Sequence, residues 1–308
     1  MNVMEWPFRS LMFVPGHNQR LMESASKSDA DVLLLDLEDS VQPVSNKAKA
    51  RNLIREMIQQ GSFSNYLVFP RVNDRESGHL LKDVYELTID GIVGFTYPKA
   101  KAPEDIYFFD KLLETIEYEK GIPVGTFKII ALIETTGAIV NIGAIASSSK
   151  RLVALAFGCE DYVTDLGGVH DEEGLSIYTA RVLIANAARA ADIIPIDTVH
   201  IHVHDLEDLE KNLILAKKLG YEGMLVLHPK ELPLVHKYFS PSDEEVETAK
   251  EMLELAERAK QEDKGVAVYN NKFVGPPMVL MAEQMLQRNE IIQKKIDLSG
   301  QGKTVFEE

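Results

Sequence analysis

Short apolar runs recur along the chain at intervals of about 25 to 40 residues, and each is followed by a polar turn and a helical pattern. Runs of Val, Ile, Leu and Phe of this length predict strands that are buried on both faces. The predicted strands are Ser10–Val14, Asp31–Leu37, Tyr66–Val72, Gly91–Tyr97, Phe127–Ile133, Leu152–Phe157, Thr198–Val203 and Gly223–Leu227.

Between these runs, apolar positions spaced three and four apart predict helices. Strands that alternate with helices favour a parallel sheet covered on both faces, and eight such units predict a closed (β/α)8 TIM barrel. A doubly wound open sheet is the rival interpretation, which the absence of a glycine-rich phosphate-binding fingerprint disfavours. The predicted helices include Lys47–Gln60, Pro103–Lys120, Tyr178–Ala191 and Leu206–Leu219.

The alternation of strands and helices stops after Pro229. A helix-start signal at Ser240 then leads into an amphipathic segment, Val246–Gln261, which is followed by a short β-like piece, Gly265–Asn270, and a final helix, Met278–Gln293. We therefore predict a catalytic barrel over residues 1–239 and a C-terminal helical lid or oligomerisation segment over residues 240–308.

Charge and cysteine content limit the possible partners and compartment. The 308 residues carry a formal charge of −15, which repels nucleic acid and anionic membrane surfaces. The single cysteine, Cys159, cannot form an internal disulfide, and the sequence has neither a secretory leader pattern nor an apolar run long enough to cross a bilayer. We expect a cytoplasmic protein without nucleic-acid or membrane partners.

Polar residues that end the predicted strands are candidates for chemistry, because the active site of a (β/α)8 barrel lies at the carboxyl ends of its strands. Glu134 and Asp161 follow neighbouring strands, and acids gathered at one rim need a compensating cation such as Mg²⁺. Arg71 offers a planar fork for a substrate carboxylate. Each residue also has a structural interpretation, as a helix N-cap or as an ion-pair partner.

Other residues attract attention but favour structural roles. The run His200-Ile-His-Val-His204 would place three imidazoles on one face of a strand, as a transition-metal site requires, yet stacked histidines on a solvent-facing strand are the favoured interpretation. We interpret Cys159 as a packed small side chain rather than a nucleophile. Glu160 is expected to point away from Asp161 on an extended strand.

Five motifs in order resemble those of citrate lyase β-subunit-like proteins, from Arg9 to the final helix. These proteins belong to the HpcH/HpaI aldolase/citrate lyase superfamily, which includes malyl-CoA and citramalyl-CoA lyases. The motifs are Arg9-Ser-Leu-Met-Phe-Val-Pro-Gly16, Asp36-Leu-Glu-Asp-Ser-Val41, Pro70-Arg-Val-Asn73, Ile133-Glu-Thr-Thr-Gly137 and Gly158-Cys-Glu-Asp161.

The resemblance implies a TIM barrel with a C-terminal helical lid, assembled as a homo-oligomer, most often a trimer. It implies that Glu134 and Asp161 bind Mg²⁺ and that Arg71 contacts the carboxylate and carbonyl of a keto acid. Gly158 would join these residues in the substrate site. Three further acids would orient metal-bound waters; they are Asp36, Glu38 and Asp39.

The implied reaction is Mg²⁺-dependent cleavage or formation of a hydroxy-acyl-CoA, such as citramalyl-CoA or malyl-CoA, to give a keto acid and acetyl-CoA. The implied partners are a keto acid and an acyl-CoA, or an acyl-ACP if the chain is a citryl-ACP lyase subunit of a citrate lyase complex. Arg9, Lys47 and Arg51 would lie near the CoA. An exposed basic helix face is the alternative interpretation of Lys47 and Arg51.

One position departs from the family pattern. Many relatives carry an Asp in the lid that reaches a neighbouring subunit as the acid/base, whereas the matching stretch here is Lys272-Phe-Val-Gly275-Pro-Pro277. A metal-bound water or Tyr269 are candidates to serve instead. The other possibilities are different chemistry or a non-catalytic homologue that binds a keto acid or CoA.

Overall fold

A computed structural model gives the structure of residues 6–171, 174–261, 267–269 and 272–303. Eight parallel strands form the main sheet of this described part, in the order β3-β2-β1-β8-β7-β6-β5-β4. The strands are β1 (Ser10–Pro15), β2 (Val32–Asp36), β3 (Leu67–Val68), β4 (Gly94–Tyr97), β5 (Lys128–Ile133), β6 (Leu152–Phe157), β7 (Ile194–Asp197) and β8 (Gly223–Val226).

The two end strands of this order, β3 and β4, are joined by backbone hydrogen bonds that close the barrel. Val93 donates to the Val68 carbonyl at 3.1 Å, and Thr96 donates to the Pro70 carbonyl at 2.9 Å. Arg71 forms isolated parallel bridges to both Asp36 and Thr96. The predicted (β/α)8 barrel is therefore confirmed, with Arg71 on its closing seam.

Helices follow most strands, and their ends carry recognisable caps. Asp205 accepts a hydrogen bond from Asp208 N at the start of one helix, which ends at a left-handed Gly220. The helices are α1 (Gln19–Ala25), α2 (Asn46–Gln59), α3 (Leu80–Leu87), α4 (Pro103–Lys120), α5 (Thr136–Val140), α6 (Ile142–Ala146), α7 (Cys159–Leu166), α8 (Leu175–Ala190), α9 (Leu206–Leu219), α10 (Leu232–Phe239), α11 (Asp243–Gln261) and α12 (Pro276–Lys303).

The seventh strand lies elsewhere than the sequence predicts. The alternating segment Thr198–Val203 is a loop, and the strand is Ile194–Asp197, which pairs with β6 and β8. Pro195 concealed this strand because proline lacks the N–H that a central strand normally uses. The prediction for Thr198–Val203 is wrong because its apolar and β-branched side chains follow the strand instead of forming it.

The chain divides into two compact units: Phe8–His236 forms one, and Lys237 onward, together with Trp6 and Pro7, forms the other. The second unit contains α11, α12 and an antiparallel hairpin of β9 (Ala267–Tyr269) and β10 (Lys272–Val274). Its small core includes Ala259 and Val274. The ends of the predicted piece Gly265–Asn270 lie outside the described residues. No helix in the described ranges is long and apolar enough to cross a membrane.

Candidate active site

The guanidinium group of Arg71 organises the acids at the end of β2. Its Nε and Nη2 atoms donate to the two carboxylate oxygens of Asp36 at 2.7 and 2.8 Å. Burial would raise the pKa of Asp36, but Arg71 and hydrogen bonds from Ser40 and the Glu38 backbone lower that pKa to about 2. This bidentate pair is therefore a permanent ion pair at the barrel rim.

Backbone hydrogen bonds also fix the position of Arg71. Arg71 N donates to the Leu35 carbonyl at 3.0 Å, and the Arg71 carbonyl accepts from Leu37 N at 2.9 Å. The guanidinium also lies over the Phe13 ring, with its central carbon 4.8 Å from the ring centroid. A side chain fixed in this way on a barrel strand is suited to hold substrate in one orientation.

Two further carboxylates face the same guanidinium. Arg71 Nη1 lies 3.0 Å from Glu38 Oε2 and 3.2 Å from Asp39 Oδ2. Glu38 is buried, and its burial raises its pKa to about 7 even though Arg71 and Lys99 oppose that rise. Asp39 is 55% exposed. The predicted acids of the β2 end thus hold Arg71 and Lys99, and their role toward metal-bound waters stays a prediction.

Lys99 is a site residue that the strand-end interpretation did not single out. It has a left-handed backbone with φ of 54°, which is uncommon for a residue with a side chain. Lys99 N donates to Glu134 Oε1 at 2.7 Å, and Lys99 Nζ donates to Glu38 Oε1 at 2.5 Å. A lysine directly after a Tyr-Pro strand end was the available signal, but its backbone conformation could not be read from that signal.

The predicted metal ligands, Glu134 and Asp161, line one cavity of about 700 Å³. Glu134 is 3% exposed and follows β5, whereas Asp161 is exposed in the first turn of α7. Burial raises the pKa of Glu134 to about 7, and the negative charges of Glu38 and Asp161 add to the rise. The structure therefore brings the two acids together, although Asp161 and Glu160 lie on a helix and not on the extended strand that was predicted.

The donor set fits a hard divalent cation. Within the described ranges, neither Glu134 nor Asp161 forms a salt bridge, and the charge of Arg71 only partly offsets the rise in the Glu134 pKa that burial causes. Mg²⁺ commonly takes one or two carboxylates and fills its remaining positions with water and substrate oxygens. No cluster of three or more His, Cys, Asp or Glu with metal-binding geometry occurs in the described segments.

Gly158 sets the position of the Glu134 carboxylate. A Cβ atom added at Gly158 would lie 2.7 Å from Glu134 Cβ and 2.8 Å from Glu134 Oε2. Contacts this short force a neighbouring side chain to move. Glycine is therefore required here so that the end of β6 can pack against the carboxylate.

We expect Gly158→Ala to weaken Mg²⁺ binding by about 10- to 100-fold, the range found when a metal ligand loses its orientation. Isothermal titration with Mg²⁺ measures the effect, and circular dichroism checks that the fold is kept. The matched control is Gly143→Ala in α6, where an added Cβ meets no atom within 4 Å. Equal Mg²⁺ affinities for the two variants would contradict this role for Gly158.

The three cations predicted to contact CoA are all buried against internal partners. Arg9 Nε donates to Asp31 Oδ2 at 2.8 Å, before β1 and β2 begin and so at the barrel end opposite Glu134. Lys47 Nζ donates to the carbonyls of Leu37 and Glu38, at 2.7 and 2.6 Å, and its burial lowers its pKa.

Arg51 completes this correction, since its Nη1 donates to Asp83 Oδ1 at 2.9 Å and its side chain is 5% exposed. The exposed basic helix face that was the alternative for Lys47 and Arg51 is wrong, because α2 turns both residues inward. Contact of Arg9, Lys47 and Arg51 with CoA phosphates is contradicted for the same reason: a buried, paired cation has no free face for a phosphate.

The histidine run and the cysteine have structural surroundings. His200 is buried, and its ring lies 6.1 Å from that of His202 in the loop after β7. The two rings lie near each other because of the course of this loop, and not because they share one face of a strand. Burial raises the pKa of the Cys159 thiol to about 12, which keeps it protonated and unreactive as the sequence predicts.

Comparison with known proteins adds the decisive observation about family. The model of the HpcH/HpaI aldolase/citrate lyase family matches residues 9–229, which span the whole barrel. The chain belongs to the HpcH/HpaI aldolase/citrate lyase family. The predicted enzyme class, a carbon–carbon lyase, is confirmed at the level of this family.

Relatives that match along most of their length are named citrate lyase subunit beta or L-malyl-CoA/beta-methylmalyl-CoA lyase. Citrate lyase subunit beta of Haemophilus influenzae is 33% identical over 91% of this chain and 96% of that protein. The L-malyl-CoA/beta-methylmalyl-CoA lyase of Rhodobacter capsulatus is 30% identical over 92% of this chain and 95% of that protein. Family membership therefore includes the segment beyond the barrel.

Solved structures agree with this family assignment. The protein CitE of Mycobacterium tuberculosis, in complex with magnesium, acetoacetate and coenzyme A, has a TM-score of 0.70 and 26% identity and covers 91% of this chain and 97% of that one. A citrate lyase from Burkholderia xenovorans has a TM-score of 0.81 over 92% of each chain; its 21% identity supports the fold alone.

Proposed function

We propose that this protein is a Mg²⁺-dependent lyase that cleaves, or in reverse forms, a hydroxy-acyl-CoA such as citramalyl-CoA or malyl-CoA, with a keto acid and acetyl-CoA as the other partners. The observation that carries the proposal is the pairing of buried Glu134 with Asp161 at one cavity, beside the Arg71 guanidinium. A small hydroxy acid would meet acidic metal ligands and a fixed cation together.

Each group has a defined task in this proposal. Glu134 and Asp161 would hold Mg²⁺, which when bound acts as a Lewis acid that lowers the pKa of the substrate hydroxyl. Arg71, beside the cavity, supplies a fixed positive charge for the substrate carboxylate, and its guanidinium stays held by Asp36, Glu38 and Asp39. Asp36 keeps Arg71 in plane, since both of its carboxylate oxygens are engaged by the guanidinium.

Relatives support the metal and the ligand class. One solved relative is described in complex with magnesium, acetoacetate and coenzyme A, and another with oxaloacetate and magnesium. For this chain we propose the same classes of ligand, a trimeric assembly, a cytoplasmic location, and a barrel followed from residue 240 by a lid. Carrier-bound citryl thioester is the second candidate substrate, because several relatives are named citrate lyase subunit beta.

The substrate class is tested with purified protein, Mg²⁺ and three thioesters: malyl-CoA, citramalyl-CoA and citryl-ACP. We expect release of a keto acid from one of the CoA thioesters, and its dependence on Mg²⁺ is checked with EDTA. Turnover of citryl-ACP alone would favour the citrate lyase subunit. Binding of pyruvate or oxaloacetate without cleavage of any thioester would contradict the lyase proposal and favour a binding protein.

Gly275 allows a direct test of the missing lid carboxylate. It precedes Pro276 at the start of α12, its φ is not left-handed, and an added Cβ would meet only Pro277 Cδ at 3.8 Å. We therefore expect Gly275→Asp to change the free energy of unfolding by less than about 0.5 kcal/mol, because the new side chain fits and can cap the helix.

The rate of thioester cleavage by Gly275→Asp then distinguishes protonation by water from protonation by a lid carboxylate. Because the native site lacks this acid, we expect the thioester cleavage rate of Gly275→Asp to rise if water supplies the proton slowly. Gly275→Ala is the matched control, with the same Cβ and no carboxylate. A loss of more than about 1 kcal/mol of stability in both variants would contradict the open space found around Gly275.

A further inference from the structure

Lys99 occupies an unusual position between the two halves of the site. Its left-handed backbone, with φ of 54°, turns its N–H toward Glu134 Oε1 while its side chain returns to Glu38. A residue with a Cβ adopts this conformation at a cost in free energy, and such strain is typical of functional positions. The backbone of one residue thus fixes a proposed metal ligand, and its ammonium group lies beside the same cavity.

The ammonium group is held by acids but remains accessible. Lys99 Nζ lies 2.5 Å from Glu38 Oε1 and 3.7 Å from Asp39 Oδ1, and the side chain is 35% exposed where it lines the cavity. Hydrogen bonding and the charge of Glu38 raise the Lys99 pKa despite the opposing effect of burial. The group is therefore a permanent cation and not a proton donor at neutral pH.

The other cavity cations are differently placed. The guanidinium of Arg75 lies over the Phe108 ring, with its central carbon 4.3 Å from the centroid, and the charge of Lys101 acts on Asp165. Arg71 does not line this cavity, and all three nitrogens of its guanidinium face carboxylates. Among the described cavity-lining cations, Lys99 is the one whose own backbone contacts Glu134 and whose ammonium remains open to a ligand.

The proposed cleavage builds negative charge on the thioester oxygen, which a nearby cation would stabilise. When the hydroxyl proton passes to water and the hydroxyl carbon becomes the keto-acid carbonyl, the adjacent carbon–carbon bond breaks and its electron pair moves onto the acetyl thioester. That pair is shared with the thioester oxygen as an enolate, whose carbon then takes one proton from water, so that no proton is gained or lost overall. A fixed donor at an oxygen that gains charge lowers the barrier strongly.

We propose that Lys99 is a catalytic residue whose ammonium group contacts the thioester carbonyl oxygen and stabilises the enolate formed there. This inference rests on the proposed lyase function. A thioester substrate suits this role because its enolate carries a single negative charge, which one ammonium group can compensate. Glu38 and Asp39 position the ammonium group.

The test compares Lys99→Gly with Asp192→Gly. Glycine accepts the left-handed backbone at both positions, and Asp192 has the same φ of 54° in an exposed turn between α8 and β7. Lys99→Gly keeps the backbone N–H that contacts Glu134 and removes the side chain with its ammonium group. Lys99→Asn, which also tolerates this backbone, replaces it if the glycine variant fails to fold.

For Lys99→Gly we expect kcat for the CoA thioester to fall on the order of 10²- to 10³-fold, as for loss of one oxyanion-stabilising donor. Mg²⁺-dependent pyruvate binding should stay within a few-fold of wild type, and added ethylammonium should restore part of kcat in this variant alone. Asp192→Gly should keep the wild-type kcat.

Three results would overturn the inference. Unchanged kcat in Lys99→Gly would exclude a catalytic ammonium while leaving the lyase intact. Loss of kcat together with loss of pyruvate binding and no rescue by ethylammonium would make Lys99 a structural residue. Absence of thioester cleavage by the wild-type protein would overturn the proposed function itself, and this inference with it.

Discussion

Replacing Glu134 with Gln is expected to lower Mg²⁺-dependent thioester cleavage by at least about a thousandfold, because the Lewis acid contributes several kcal/mol to catalysis and each 1.36 kcal/mol is tenfold in rate. Gln keeps the size of the side chain and an oxygen that can accept the Lys99 N–H, so the fold should persist. Steady-state rates over a range of Mg²⁺ concentrations measure the effect. The matched control is Glu160→Gln, which makes the same change at an exposed glutamate in the first turn of α7.

The pH dependence of Mg²⁺ affinity provides a second check on Glu134. Its pKa is raised from 4.5 to about 7 in the metal-free fold, so the carboxyl must lose a proton before it binds metal. Mg²⁺ affinity should rise about tenfold per pH unit up to about pH 7 and then level off. In the absence of Mg²⁺ the sign for stability is opposite: the folded state holds this proton more tightly, so its contribution to stability falls as pH rises from about 4.5 to 7. Glu134→Gln should remove the Glu134 part of both slopes, and an unchanged slope would contradict the assignment.

Replacing Arg71 with Met is expected to destabilise the protein by about 3–5 kcal/mol, the cost of removing one partner from a buried ion pair. The side chain is 11% exposed, and its loss leaves Asp36, Glu38 and Asp39 facing one another without this cation. Urea unfolding measures the change in free energy, and thioester cleavage should be lost as well.

Arg55→Met is the matched control for Arg71→Met. Arg55 is 36% exposed, and its Nη1 lies 3.9 Å from Glu86, so its loss should cost less than about 1 kcal/mol. Adding Asp36→Asn to Arg71→Met should recover part of the stability, because the two residues are directly coupled. Equal losses in the free energy of unfolding for Arg55→Met and Arg71→Met would contradict a stabilising role for the ion pairs of Arg71.

The barrel and the placement of the candidate site residues at its rim were predictable from sequence, because both follow from local pattern, whereas the roles of those residues stay a prediction. Buried parallel strands appear as continuous apolar runs, and the carboxyl ends of these runs predict Glu134, Asp161 and Arg71 at one rim. The helix bounds Pro103–Lys120 and Leu206–Leu219 were also correct, since proline and aspartate begin these helices and glycine ends them.

What sequence missed depends on contacts between distant residues. Lys47 and Arg51 have the pattern of an exposed helix face. Only the fold shows that Lys47 donates to the Leu37 carbonyl and that Arg51 donates to Asp83. The strand at Ile194–Asp197 was concealed by Pro195. The role of Lys99 depends on a left-handed backbone, which tertiary contact with Glu134 stabilises and which local propensity disfavours.

The central claim is that Glu134 and Asp161 share one divalent ion completed by a keto acid. A crystal structure with Mn²⁺ and pyruvate tests it most directly, because anomalous scattering locates the ion. We predict one ion bonded to an oxygen of each carboxylate at about 2.1 Å, with pyruvate and water in the remaining positions. An ion bound elsewhere, or one that leaves either Glu134 or Asp161 out of bonding distance, would contradict the claim.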